Sequence, residues 1–291
     1  MLLKMLRSLF QDSAGKFASA EKIRDAAQPR AAQRMPLTRA GKTSGACKIC
    51  GGPAALFDVV DLNKHCAEGD PYQFGLSGIP VYYERCTVCS FVFTRHFDDW
   101  DADRFAEVIY NDDYSKVDGD YSHVRPLATA GYFAENFAHA ADLAILDYGA
   151  GSGVFAGRMK ELGFAGVTAY DPFSHPHRPA GPFDVITCVE VLEHAPEPHE
   201  TLRDLLSFGH ADTIVLFTTQ VQPDDIERRR GAWWYIGPRN GHISIYTDAA
   251  LDALAEAHGL YYFPGEGAFM AFCRRPDPQR IRVGVAYPRK S

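Results

Sequence analysis

A doubly wound α/β sheet preceded by a small β-rich unit is the fold this sequence predicts, on three observations. Between residues 143 and 275, apolar runs of strand length alternate with helical segments, the order that builds a mostly parallel sheet with helices on both faces. One of those runs, 144–148, enters a glycine turn and then a helix at 154–162, which is the unit that cradles nucleotides. Ahead of it, residues 46–97 combine short apolar runs with two C-x-x-C pairs, the pattern of a small β unit built round its cysteines.

Each element has its own signal in the chain. Residues 1–45 are rich in Ala, Arg, Lys and Ser with weak helical periodicity, and are expected as a disordered or loosely helical basic leader, with Met35 as an alternative start of translation. Residues 98–140 are helical and aromatic in pattern, with Phe105, Tyr110, Tyr114, Tyr121 and Phe133 among them; they are expected to connect the two units and to supply substrate-side helices. In the α/β region, 141–275, strands are expected at 144–148, 167–170, 183–188, 213–218 and 269–273. Helices are expected at 154–162, 199–208 and 248–258, the last capped by Thr247. Residues 276–291 form a C-terminal tail.

Composition narrows the function. With 46% hydrophobic, 12% aromatic and 23% charged residues, the chain is too apolar for general disorder. No run approaches about 18 apolar residues and Lys4 and Arg7 break the first one, so neither a spanning helix nor a signal peptide is expected and the protein is read as soluble and cytoplasmic. The net charge is −7, and residues 1–46 hold nine Lys or Arg against three acidic residues, so the remainder carries −13. An acidic body without a concentrated basic face repels phosphate backbones, and nucleic acid is not the expected partner.

Seven cysteines include Cys47/Cys50 and Cys86/Cys89, with 35 residues between the pairs. Each pair closes a tight turn aiming both sulfurs at one point, and Gly51 and Gly52 permit the positive φ such a turn needs. Four thiolates complete a closed tetrahedral site, so a structural zinc is expected; free thiols or a redox pair are the alternatives, and His65 and Cys66 are candidate substitute ligands.

The glycine turn reads Asp147-Tyr148-Gly149-Ala150-Gly151-Ser152-Gly153. A carboxylate at that strand end repels a pyrophosphate and favours a ligand presenting an ammonium or sulfonium group, which S-adenosylmethionine does. On Asp147, Gly149, Gly151 and Gly153, on the acidic Asp171 ending the next strand 24 positions later, and on the run from Phe183-Asp184 to Glu190-Val191-Leu192-Glu193-His194, the sequence resembles the class I S-adenosylmethionine-dependent methyltransferases over about residues 125–275. The resemblance implies a seven-stranded sheet, Asp171 accepting both ribose hydroxyls, and cofactor contacts that include Glu190. One departure stands out: only eleven residues, several of them Pro or His, separate Asp171 from Phe183, so the family's third strand is missing or very short. His175 and His177 there read as an exposed loop rather than a metal pair. The cysteine ribbon ahead of such a domain is similar to that of bacterial deoxysugar and other glycan-pathway methyltransferases, which implies a small or glycan-linked acceptor, a saccharide first. That match does not extend to a further domain, so C-methylation does not carry over.

The segment 231–247 joins Trp233, Trp234, Tyr235 and His242 to glycines, as a substrate lid would; packing over the core is the equal alternative. Methyl transfer requires alignment and removal of a proton, and His242 and His194 are the candidate bases. An rRNA guanine methyltransferase and a non-catalytic methyltransferase-like module are the competing readings, with a nicotinamide enzyme behind them.

Overall fold

The computed structural model describes residues 45–275 apart from 68, 176 and 266. The expected leader, except Gly45, and the tail lie outside the described residues.

Two sheets organise the described residues. The first is antiparallel throughout, in the order β1 (Gly45–Ala46), β2 (Pro53–Asp61), β3 (Pro80–Cys86), β4 (Val92–Thr94) and β9 (Ser244–Ile245). The β-rich expectation for 46–97 therefore holds, with an addition: its last strand comes from the far end of the chain. Ile245 stands opposite Val92 and Ser244 opposite Phe93, so the cysteine-bearing sheet is completed by the segment that the sequence assigns to the acceptor side.

The second sheet has six strands among the described residues, ordered β10 (Tyr261–Phe263), β11 (Met270–Cys273), β8 (Gly209–Thr218), β7 (Phe183–Val189), β5 (Ile145–Tyr148) and β6 (Val167–Tyr170). The four strands β6, β5, β7 and β8 are parallel, and β11 and β10 run antiparallel at the edge. The expected seventh strand is not among them: between β6 and β7 the described residues make only the bridge Asp171 to His175. Eleven residues rich in Pro and His are too few to form a strand with its crossover helix. Strand β10 was not legible, because Tyr261-Tyr262-Phe263 is a three-residue run after a glycine.

Alternation along the strands makes the sheet doubly wound. Ile145, Val185 and Leu216 point to one layer, with Phe133 and Phe155 from helices α3 (Val124–Asn136) and α4 (Val154–Glu161). Leu146, Ile186 and Phe217 point to the other, with Leu202 and Leu205 of α5 (Pro198–Ser207) and Leu251 and Leu254 of α7 (Asp248–Ala257). The Thr247 hydroxyl caps α7 by accepting from the Ala250 amide at 3.0 Å, and donates to the Cys89 carbonyl at 2.7 Å. That second layer also takes up Cys47, Cys89, Phe91 and Phe93. The antiparallel sheet buries its own cluster, Phe57, Tyr83 and Val92 against Phe105 and Ile109 of α1 (Ala102–Val108) and its C-terminal end, and Tyr114 of the short α2 (Tyr114–Val117). The short α6 (Ile226–Arg229) precedes the buried stretch leading to β9. No helix among the described residues is long and apolar enough to cross a membrane.

Candidate functional site

The four predicted cysteines converge. Sγ of Cys47 lies 3.7 Å from that of Cys89, Cys50 lies 3.4 Å from Cys86, and all four sulfurs are within 4.8 Å of one another. A tetrahedral ion with bonds of about 2.3 Å spaces its sulfurs roughly 3.8 Å apart, so the donor set fits zinc. Local structure brings this about. Cys47 and Gly52 close the first turn through a 2.7 Å amide bond, with Gly51 at φ +69°; in the second turn the amides of Val88 and Cys89 donate to Cys86 Sγ at 3.3 and 3.4 Å, and Ser90 takes φ +61°. A hydrogen bond from Cys89 draws the Cys47 thiol down to about 5, and the same bond pushes Cys89 up. His199 anchors the first turn, its Nε2 lying 2.8 Å from the Ile49 carbonyl and its Nδ1 2.9 Å from His258. The substitutes His65 and Cys66 stand elsewhere: His65 Nδ1 pairs with the Pro71 carbonyl, and Cys66 Sγ lies 3.3 Å from His242 Nδ1. They are folded away because the loop after β2 packs on the 235–242 stretch, where Asn240 accepts from the Cys66 amide.

The glycine turn leaves the carboxyl end of β5 as the sequence requires. Gly149, Gly151 and Gly153 all hold positive φ, +74°, +51° and +79°, which only glycine adopts without strain. A Cβ on Gly149 would also stand 2.4 Å from Val191. Asp171 fastens the turn: its Oδ2 accepts from the Gly151 amide at 3.0 Å and its Oδ1 from the amides of Phe173 and Ser174 at 2.9 and 2.8 Å. Three backbone donors thus already occupy the carboxylate assigned to ribose hydroxyls. His175, exposed, turns back to place Nδ1 3.0 Å from the Gly151 carbonyl, and no metal-ligand group among the described residues includes it or His177. Asp147 is buried; Thr187 donates to its Oδ1 at 3.3 Å, while Oδ2 has no partner. Loss of hydration raises its carboxyl to about 7.

The third constellation lies past the end of β7. Glu190 holds φ +53°, a rare conformation for a residue with a side chain that marks a constrained site. Its Oε1 accepts from the Thr218 hydroxyl at 2.8 Å, and burial followed by the nearby Glu193 charge pushes its carboxyl up to about 8. Glu193 is wholly buried; its Oε1 accepts from the Tyr235 hydroxyl at 2.7 Å and its Oε2 has no partner. His194 sets Nδ1 3.1 Å from the Gly241 carbonyl, and His242 sets Nδ1 2.8 Å from the Tyr235 carbonyl. The two rings stand 5.0 Å apart. Burial lowers His194 to about 4 and His242 well below its ordinary value. The predicted pair is therefore brought together, and both rings are held neutral.

The antiparallel sheet holds this cluster. Tyr83 of β3 donates to the His242 carbonyl at 2.6 Å, the Ile243 amide donates to the Glu193 carbonyl at 2.8 Å, and the Ser244 hydroxyl donates to the Ala195 carbonyl at 2.6 Å. Residues 235–246 are buried without a break, and Trp233 and Tyr235 are 5% and 1% exposed. The lid reading is corrected on that ground: the segment is an inner wall, and core packing is the role of its aromatics. Two contributors went unassigned in the sequence. Tyr110, just past α1, packs edge-on at 6.1 Å from His194 and near Phe173, and the charges of both Glu193 and Asp171 reach its buried hydroxyl. Arg125, in α3, pairs with Asp118 at 2.9 Å and faces the charge of Glu190. Aromatic density in 98–140 was the only signal for the former, and none existed for the latter.

Residues 121–263 match a family model described as a methyltransferase domain. The match takes in Asp147, the three glycines, Asp171, Glu193, His194 and His242, and leaves out the four cysteines. No curated protein matches the chain. Solved structures similar to it include mitomycin 7-O-methyltransferase, 14% identical over 59% of this chain and 60% of that one with a TM-score of 0.45. An O-methyltransferase family protein from Burkholderia thailandensis is 12% identical over 58% and 60%, at 0.42. A methyltransferase of calicheamicin biosynthesis in its SAH-bound form is 17% identical over 59% and 63%, at 0.38. The chain aligns with about three fifths of the length of each.

Proposed function

We propose that this chain is an S-adenosylmethionine-dependent methyltransferase that methylates a hydroxyl of a small or glycan-linked acceptor, a saccharide in the first instance, and that its four cysteines hold a structural zinc. The observation that carries the reading is a juxtaposition: a glycine turn with a partnerless buried carboxylate oxygen on Asp147 and a Glu193–His194–His242 cluster with another on Glu193 both lie past the carboxyl ends of the parallel strands, where open α/β sheets bind ligands. Bound S-adenosylmethionine supplies a methyl group already activated by its sulfonium. The chain's own part is to align the acceptor and take its proton. Asp147 Oδ2 is the group to meet a cationic end of the donor, and Asp171 holds the turn beneath it. Of the imidazoles, Nδ1 is committed to a backbone carbonyl in each, leaving Nε2 of His194 and His242 to receive the acceptor's hydrogen bond and its proton. Exposed Phe173 and Tyr121, 46% and 41% accessible, offer aromatic faces of the kind that stack on sugar rings. A four-sulfur zinc site has no open position, so its work is to hold the two turns together.

Calorimetry with S-adenosylhomocysteine and NADH tests the donor: the first is expected to bind and the second not, and the reverse preference overturns the reading. Transfer of labelled methyl to nucleotide sugars and glycosides tests the acceptor, with His242→Ala expected to lower turnover about a hundredfold while S-adenosylhomocysteine affinity stays within about twofold. Full turnover in that variant removes His242 from the chemistry.

A further inference from the structure

We infer that Glu193, His194 and His242 form a binding site for a divalent metal ion; its existence stands on the geometry alone, and its role in catalysis rests on the methyltransferase reading. Each residue offers one ligand atom, and these atoms lie within 4.8 Å of one another, close enough for small side-chain rotations to bring them onto one ion with bonds near 2.1 Å. Two histidines and one carboxylate are a sufficient protein set for a catalytic divalent ion, which keeps its remaining positions for water or substrate.

Three independent features select this cluster. The first is Glu193 Oε2, an oxygen with no partner on a side chain that is 0% exposed; a buried carboxylate oxygen left bare is costly, and a cation removes that cost. The second is the pair of Nδ1 contacts to the Gly241 and Tyr235 carbonyls at 3.1 and 2.8 Å. A carbonyl only accepts, so each Nδ1 carries the proton and each Nε2 presents a lone pair, the arrangement that second-sphere carbonyls impose on metal-binding histidines. The third is the Tyr235 hydroxyl, which fixes the other oxygen of Glu193, as ligating carboxylates are commonly held. Other groups approach the cluster: Cys66 Sγ stands 3.3 Å from His242 Nδ1, on the side of the ring away from Nε2, so it supports the ring without taking the ligand atom, and the side chains of Thr219 and Glu190 also approach the Glu193 carboxyl. Half-buried His194 is the edge on which water or an acceptor hydroxyl would complete the coordination.

An ion here changes how the acceptor loses its proton. The acceptor oxygen would bind the cation, which makes a coordinated hydroxyl a stronger acid, as it does water; the O–H bond breaks, the proton leaves to solvent, and the oxygen lone pair attacks the methyl carbon as the C–S bond breaks. The imidazoles are then ligands to the ion and no longer the immediate bases.

Manganese(II) and cobalt(II) titrations of the full chain test this, with the cysteine site left as purified. Wild type is expected to remove one equivalent of manganese(II) from the free-ion electron-spin resonance signal. With cobalt(II) it should give a d–d spectrum free of sulfur charge transfer. Glu193→Gln, whose amide oxygen still accepts from Tyr235, and His242→Ala are each expected to weaken manganese(II) binding at least tenfold while binding S-adenosylhomocysteine within twofold of wild type, which certifies their fold. Wild type taking up neither ion below 1 mM (a limit of roughly 4 kcal/mol of binding), or both variants binding as wild type does, overturns the site. Failure to bind S-adenosylhomocysteine sinks the methyltransferase reading instead and leaves the manganese(II) count to speak for the metal.

Discussion

Two clusters of ligating side chains flank one antiparallel sheet, and they are built on opposite plans. Cys86 ends β3 and Cys89 precedes β4, so that site sits at a hairpin whose four sulfurs complete each other. His242 precedes β9, the strand paired with β4, and its cluster leaves Glu193 Oε2 unanswered. A set of four soft donors with none left over is a fastening. Three mixed donors with a bare oxygen are a place for something to arrive. On the proposed function, the cluster that the polypeptide finishes by itself is the structural one, and the one it leaves incomplete is the one assigned to chemistry.

The largest effect should come from breaking the fastening. Cys86→Ser is expected to abolish stoichiometric zinc in elemental analysis and to lower the melting temperature by about 10 °C, because metal-ligand energy in such a site is folding energy. A melting temperature within two degrees of wild type would make the site ornamental. Next, Glu193→Gln should reduce methyl transfer by about 100-fold or more, with the melting curve nearly unchanged; a large drop in stability with turnover intact would reverse the roles of the two clusters. Asp171→Ala is expected to weaken S-adenosylhomocysteine about 10- to 100-fold, here because the Gly151, Phe173 and Ser174 amides lose their common acceptor; unchanged affinity in calorimetry would separate the turn from the ligand.

A smaller effect concerns pH. Asp147 ionises near 7, so its negative form grows as pH rises through that value, and a ligand bearing an ammonium should bind about tenfold more tightly at pH 8 than at pH 6. Asp147→Asn should flatten that profile, and a wild-type profile already flat would remove Asp147 from the cofactor's surroundings. Last, Thr247→Ala takes the cap from α7 and a tie from the second cysteine turn, which should cost about 1 kcal/mol in chemical denaturation and leave turnover alone.

The cysteine site was legible in the sequence because C-x-x-C is a local rule: two residues of spacing set each pair, and only the meeting of the pairs waits for the fold. The glycine turn, β5 to β8 and the Thr247 cap were legible for the same reason, each resting on neighbours in the chain. The six-stranded sheet could be half foreseen, since eleven residues between Asp171 and Phe183 leave no room for the strand the resemblance implied. The partnership of Glu193 and His194 with His242 spans nearly fifty residues, and its geometry is set by contacts no periodicity encodes: Tyr83 on the His242 carbonyl and the Ile243 amide on Glu193. The supposed lid failed because glycines and aromatics in a loop look the same whether they face water or a second sheet. Here β9 pairs with β4 and draws the whole stretch inward.

That pairing has a kinetic meaning. With residues 235–246 buried and their end, Ser244–Ile245, paired to β4 of the cysteine-bearing sheet, the wall carrying His242 is set when the protein folds, before any acceptor is present. The entropy of ordering it is lost once per molecule instead of once per turnover. On the proposed function, discrimination among acceptors would then reside in fit to a rigid face, and selectivity should vary with the shape of the incoming molecule far more than with the rate at which this part of the protein moves.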